Sequence, residues 1–407
     1  MNYNTKTLAS GLRVIHLPSA SPVVYCGYQI AAGTRDEQPG EEGLAHFCEH
    51  MTFKGTERRN ALQIINALER LGGELNAYTN KESTVFYAAI QKEHLRVAVD
   101  LLSDMVFHSQ YPQAEMDCEV EVICDEIESY NDSPAELIYD EFENILFEGH
   151  PLGHNILGQA DKLRTYTSDD LKRFTAQHYS PMKAVFFAYG DIDFQLLVKL
   201  LSRTTNSCSR TPEPPHLRTP ELRTPDHLIV MDKGTHQAHV IIGTRAYAVH
   251  HPRRLVLYLL NNLLGGPSMN ARLNLSLRER NGLVYTVESS MVAYGDTGVW
   301  TVYFGCDPHD VTRCRRLVRR ELDKLMTRPL TRTVLAAAKQ QLKGQIAIAC
   351  DNREQFALDF GKIFLFDGEE RHLDRLFSKI DAITAADVQQ VACELFPEER
   401  LTTLIFK

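Results

Sequence analysis

His46-Phe47-Cys48-Glu49-His50 is the stretch around which the chain is organised. Helical residues four apart lie one above the other on one face. Both imidazoles can therefore reach one metal ion, and Glu49, three residues after His46, falls on the same side. Two histidines, a carboxylate from elsewhere and an open fourth position are what zinc uses for hydrolysis. Two surface histidines on any helix would give the same pattern, and with 16 histidines in the chain a chance match has weight. The flanking sequence decides. A polar loop from Gly33 to Gly43 precedes the motif and Gly55 follows it, which predicts a helix over about 42–54. A second helix is predicted over about 60–71, closed by Gly72-Gly73.

Composition narrows the class. A chain of 407 residues with 43% hydrophobic and 24% charged residues reads as a globular protein with more than one core. The formal net charge of −9 argues against nucleic acid or an anionic membrane as partner. The nine cysteines are scattered without a C-x-x-C pair, a usage that fits a reducing, cytoplasmic setting. The N-terminal stretch has no apolar core after a basic start, so no signal peptide is expected. No apolar run approaches the roughly 20 residues of a membrane span.

Along the chain, residues 11–18 and 23–33 are rich in β-formers and read as a strand pair. Residues 74–79 and 84–90 flank a polar turn and read as a hairpin. Amphipathic helices are expected over 93–108, 113–131 and about 134–147, then a buried strand over 183–190 and a helix over 193–203. Residues 204–226 carry five prolines and little apolar content, the composition of a linker. The second part repeats the order: strands at 227–233 and 237–246, helices, β-like runs at 283–293 and 297–305, helices, and a last strand from Leu401 to Phe406. The expectation is an α+β chain of two duplicated α/β domains, each an antiparallel-rich sheet covered by helices, with boundaries at 1–203 and 227–407.

The acidic run Glu115…Glu119-Val120-Glu121-Val122-Ile123-Cys124-Asp125-Glu126 supplies carboxylates for the site. Glu119 and Glu126 are seven apart, two helical turns along one face, with Val122 and Ile123 read as the apolar stripe that buries it. One acid can ligate the metal while the other holds a histidine. By itself such a helix reads as a solvated surface; the H-x-x-E-H motif reverses that.

The motif, 75 intervening residues and then Glu126, with Glu119 one heptad earlier, resembles the pitrilysin-type (M16, inverzincin) zinc metallopeptidases. Further segments carry the resemblance: Ala32-Gly33-Thr34-Arg35-Asp36-Glu37, Gly72 to Thr79, Asp132-Ser133-Pro134, Leu264-Gly265-Gly266 and Leu277 to Tyr285. The length matches the short two-domain form, as in bacterial M16B peptidases and the mitochondrial processing peptidase beta subunit. The resemblance implies the metallohydrolase fold of the LuxS/MPP type. It implies one Zn2+ per chain on His46, His50 and Glu126, with Glu49 as general base and Glu119 supporting the ligands. It implies that Arg278 grips substrate backbone and Tyr285 donates to the oxyanion. Asn76 and Ala77 fall on the strand that pairs with an extended peptide substrate. The activity implied is endopeptidase cleavage of unfolded peptides in a clamshell homodimer whose sites are completed in trans. Neither nucleic acid nor membrane is implied as partner. The alternative is a non-catalytic or heterodimer-obligate subunit serving as scaffold or peptide binder. Cys48 stands where the family pattern leads us to expect an aliphatic residue, and is read as a point of oxidation sensitivity.

Overall fold

The computed structural model describes residues 2–205 and 227–407. They form two compact units, each assembled from separated stretches of chain. The first takes the described residues of Met1–Glu128, His154–Thr219 and Ala349–His372. The second takes those of Ser129–Gly153, Pro220–Ile348 and Leu373–Lys407.

The sheet of the first unit holds β1 (Asn4–Thr7), β2 (Arg13–Pro18), β3 (Val23–Ile30), β4 (Glu74–Thr79), β5 (Thr84–Gln91) and β6 (Ala184–Gly190) in the order β1-β2-β6-β3-β5-β4. That of the second holds β7 (Leu228–Met231), β8 (Ala238–Ala246), β9 (Val284–Ala293), β10 (Gly298–Cys306) and β11 (Thr402–Phe406) in the order β7-β11-β8-β10-β9. With β1 set aside, the two orders superimpose strand for strand. The parallel pairs also correspond, β2 with β6 and β7 with β11. The duplication expected from element order is therefore present in topology and strand direction.

One local expectation fails in both sheets. β2 and β3 are not partners, because β6 runs between them, parallel to one and antiparallel to the other. β11 separates β7 from β8 in the same way. Adjacent runs of β-formers suggest a hairpin. The inserted strands, Ala184–Gly190 and Thr402–Phe406, are instead segments buried along almost their whole length, which gain from cover on both faces.

Each sheet is covered on two faces, and one face is covered by a helix from the other half of the sequence. In the first unit, helix Arg353–Asp367 lays Phe356, Ala357, Phe360 and Leu365 against Ile15, Leu17, Val185 and Phe187. Gln29 Nε2 donates to the Leu358 carbonyl at 2.7 Å, and Arg13 to those of Phe364 and Leu365. In the second unit, helix Pro134–Leu146 lays Leu137, Ile138 and Phe142 against Ile241, Val299, Leu404 and Phe406. The continuous halves read from sequence, 1–203 and 227–407, thus differ from the compact units by a reciprocal exchange of helices. Of the expected linker 204–226, Thr204 and Thr205 end helix Phe194–Thr205, and the remainder lies outside the described residues.

Candidate active site

The motif forms helix Leu44–Thr52. Its N-terminus is fixed by chemistry outside the helix: the Glu37 carboxylate accepts from the Gly43 and Ala45 N–H groups at 3.1 and 2.7 Å. A carboxylate at this end satisfies free N–H groups and favours the helix dipole. His154 Nε2 lies 2.8 Å from the same carboxylate. Gly43 has φ 88°, and a Cβ there would come within 2.8 Å of Gly158 Cα, so only glycine lets this loop close against the helix. Leu44, Ala45, Phe47, Cys48 and Met51 anchor the helix in the first unit's core. His46, Glu49 and His50 occupy another face.

Acidic helix Gln113–Asn131 brings Glu119 and Glu126 to that face. It is buried through Met116, Val120 and Ile123, with Ile127 packed beside them. Ile123 plays its expected part, but Val122 is 52% exposed. The buried stripe runs at i, i+4, i+7 and i+11 from Met116, and Val122 falls off it.

His46, His50 and Glu126 bring one ligand atom each to within 4.8 Å of one another. Glu126 Oε2 lies 4.0 Å from His46 Nε2 and 3.5 Å from His50 Nε2. His50 Nδ1 lies 2.9 Å from Glu119 Oε1, whose other oxygen accepts from Lys54 Nζ at 2.5 Å. A proton on Nδ1 shared with Glu119 leaves the Nε2 lone pair facing the cluster, the tautomer a metal requires. Burial, then the neighbouring His50, holds His46 down at about 4, so it presents a neutral imidazole at neutral pH. Burial alone would raise Glu119, but His50 and Lys54 outweigh it and keep the group below its ordinary value. Burial also pulls His50 down, yet hydrogen bonds to Glu119 and Glu126 hold it up at about 9. A divalent cation at Nε2 would take the place of that proton. Two imidazoles and a carboxylate converging in this way fit zinc.

Glu49 is buried beside the cluster, and Thr79 Oγ1 donates to its Oε2 at 2.6 Å. Burial raises the Glu49 carboxyl, with the Thr79 bond opposing. Thr79 ends β4, the edge strand of the first sheet, which pairs only with β5 among the described residues. Asn76 and Ala77 lie on that edge, Asn76 exposed and Ala77 half-buried. No local pattern in the sequence signals the contacts of Thr79 with Glu49 or of Lys54 with Glu119, since both bonds cross between elements.

Arg278 and Tyr285 belong to the second unit. Arg278 sits in a widened helical turn, Asn274–Glu279, where the Arg280 N–H reaches back five residues to the Leu275 carbonyl. Its guanidinium lies 5.5 Å from the ring centroid of Tyr285, which is 82% exposed. The structure thus pairs these two with one another and gathers His46, Glu49, His50, Glu119 and Glu126 in the first unit. Cys48 does not match the oxidation-sensitive thiol expected of it. It is fully buried, burial pushes the thiol far above its usual range, and a protonated buried thiol is inert.

A model described as insulinase (peptidase family M16) matches residues 13–160, and one described as the peptidase M16 inactive domain matches 165–342. The chain belongs to peptidase family M16. An uncharacterized zinc protease of Bacillus subtilis is 32% identical over 98% of this chain and 97% of its own length. One of Streptomyces coelicolor is 33% identical over 95% and 85%. The beta subunit of mitochondrial-processing peptidase from Pongo abelii is 30% identical over 94% and 80%. A protease from Helicobacter pylori shares the fold with a TM-score of 0.91 at 23% identity, over 100% of this chain and 99% of that one. The family and fold expected from the sequence are borne out. No described helix is long and apolar enough to cross a membrane.

Proposed function

We propose that this M16 chain is a zinc-dependent endopeptidase that cleaves unfolded peptides bound as an added strand along β4. The observation that carries the reading is the convergence of His46, His50 and Glu126 with buried Glu49 where an open sheet edge ends. Zinc held by these three residues, one ion per chain, would polarise the scissile carbonyl and lower the pKa of a water toward neutrality. Glu49 takes a proton from the attacking water and passes it to the leaving amine. Thr79 fixes Oε2 of Glu49 and so aims Oε1. Glu119 holds the His50 ring in register. Asn76 and Ala77 offer backbone groups to extended substrate, which selects for unfolded chain and only loosely for sequence.

Arg278 and Tyr285 complete the site, one gripping substrate backbone and the other donating to the developing oxyanion. An exposed tyrosine beside a guanidinium is suited to meet a surface outside its own unit. We assign that surface to a second copy of the chain, so that each site is completed in trans within an enclosing homodimer.

The test is a quenched peptide mixture incubated with the protein, with and without chelator, beside Glu49→Gln. Cleavage abolished by chelator and by a Glu49→Gln variant that still binds zinc supports the reading. Absence of cleavage by a zinc-loaded wild-type chain overturns it in favour of a heterodimer subunit or a peptide binder. Mixing Glu49→Gln and Tyr285→Phe chains tests completion in trans: activity returns if one intact site forms per mixed dimer, and does not if each chain works alone.

A further inference from the structure

Glu126 comes to the metal cluster from a different helix than His46 and His50, so the spacing of the two helices decides whether the three ligands meet. The apolar stripe Met116, Val120 and Ile123 presses helix Gln113–Asn131 onto the core. Apolar contact is non-directional and sets depth better than register. Glu126 lies nearly four turns, about 20 Å, beyond the start of that helix. A tilt of about 10° at the start would therefore displace it by about 3–4 Å. Its separations from the two imidazoles are only 4.0 and 3.5 Å.

The chain enters that helix through a corner, residues 109–112, which is stitched to the loop after the motif helix. The Gly55 carbonyl accepts from the Gln110 N–H at 3.0 Å, and the His108 carbonyl from the Glu57 N–H at 3.1 Å. Thr56 and Ser109 form an antiparallel bridge between them. At Tyr111 the backbone turns through φ 50°, and among the described residues no other non-glycine has a positive φ. A bulky side chain in that region is strained, and the proline that follows disfavours helical backbone at the same residue. Such strain persists only where the surroundings over-determine it. The Pro112 carbonyl then accepts from the Glu115 and Met116 N–H groups, both at 3.1 Å, and the helix begins.

The Tyr111 side chain is buried in the first unit's core. Its hydroxyl meets three others, those of Thr52, Ser109 and Thr175. Thr52 Oγ1 donates to the Cys48 carbonyl at 2.7 Å, Ser109 Oγ to that of Met105 at 2.7 Å and Thr175 Oγ1 to that of Leu171 at 2.9 Å. All three thus offer lone pairs, and the phenol is the donor among them. Thr52 is the last residue of the motif helix. We propose that Tyr111 is a positioning residue of the metal site. Its left-handed backbone launches the helix that carries Glu126, and its hydroxyl locks that launch point to the end of the helix that carries His46 and His50. The reach of Glu126 to the two imidazoles is then set before a metal arrives. This role rests on the cluster being a metal site and not on peptide hydrolysis.

The metal-free full-length chain is titrated with Co2+, a stand-in for zinc whose visible absorption reports coordination. Wild type, Tyr111→Phe, Glu126→Gln and the double variant are compared. Tyr111→Phe keeps the ring, and the three acceptor hydroxyls keep their own bonds to carbonyls, so the fold survives; melting temperatures check this. We expect Tyr111→Phe to weaken Co2+ binding about tenfold and shift the absorption band while Glu126 is present. In the Glu126→Gln background the same change should weaken binding less than about twofold, because the residue it positions is gone. An equal loss in both backgrounds would make Tyr111 a stabiliser of the fold alone and overturns the proposal, as does unchanged affinity in Tyr111→Phe. If Tyr111→Phe does not fold, Thr52→Val breaks the same link from the motif helix and must show the same dependence on Glu126. A wild-type chain that takes up no Co2+ sinks the metal reading itself, whereas tight binding by both wild type and Tyr111→Phe sinks only the role of Tyr111.

Discussion

Glu49 is held by a single short bond from Thr79 in a place where burial works against its charge. Thr79→Val keeps the shape and removes that bond. We expect kcat to fall about tenfold, equivalent to about 1.4 kcal/mol in the transition state, with KM little changed. A rise in KM at constant kcat would mean that Thr79 serves substrate binding instead. Glu119 acts through His50. Glu119→Ala frees the imidazole to turn and leaves Lys54 without its carboxylate. Zinc affinity should drop about 10- to 100-fold, measured by competition with a chromogenic chelator. An unchanged affinity would make Glu119 a structural acid only.

Among the elements, the motif helix depends on neighbours for its position. The loop after it is tied to helix Leu95–His108 through buried Asp104, which accepts from Thr56 Oγ1 at 2.8 Å, Arg58 Nε at 2.9 Å and the Arg59 guanidinium. Burial would raise the Asp104 carboxyl, but these three donors outweigh it and hold it below the usual carboxylate range. A carboxyl depressed on folding contributes stability that is complete above its unfolded value, near pH 4. That contribution is lost as pH falls through the lower folded value. Asp104→Asn should therefore cost about 1–3 kcal/mol at neutral pH. The cost should shrink below about pH 4, as read from denaturant midpoints across pH. A pH-independent cost would assign the loss to packing.

For the molecule as a whole, the exchange of helices sets the limits of autonomous folding. A chain ending at residue 205 keeps β1–β6 but lacks helix Arg353–Asp367, so Ile15, Leu17, Val185 and Phe187 lose their cover. It also carries Ile138 and Phe142 without the sheet they pack on. We expect this fragment to aggregate or to bind a hydrophobic dye strongly, and residues 349–372 supplied in trans to lower that binding. A monomeric, cooperatively melting fragment would show that the first core is self-sufficient. In the full chain, Phe360→Ala should cost about 3–5 kcal/mol, because Phe360 is fully buried.

The sequence by itself determined what depends on near neighbours. The i, i+3, i+4 spacing of His46, Glu49 and His50 puts them on one helical face wherever the helix lies. The spacing of Glu119 and Glu126 does the same two turns apart. The β4–β5 hairpin was legible because a polar turn joins two β-forming runs, and the duplication because element order repeats. Family membership was legible because its motifs are short and local. Tertiary structure alone decided what is settled between distant segments. It inserted β6 between β2 and β3 and β11 between β7 and β8, since both strands bury almost every residue and an interior place in a sheet offers cover on both faces. It exchanged Arg353–Asp367 and Pro134–Leu146 between units, since an apolar helix face does not encode which apolar sheet face it will cover. It joined Thr79 to Glu49 and Lys54 to Glu119, because a hydrogen bond between elements follows from how they pack, and periodicity along one chain carries no record of that.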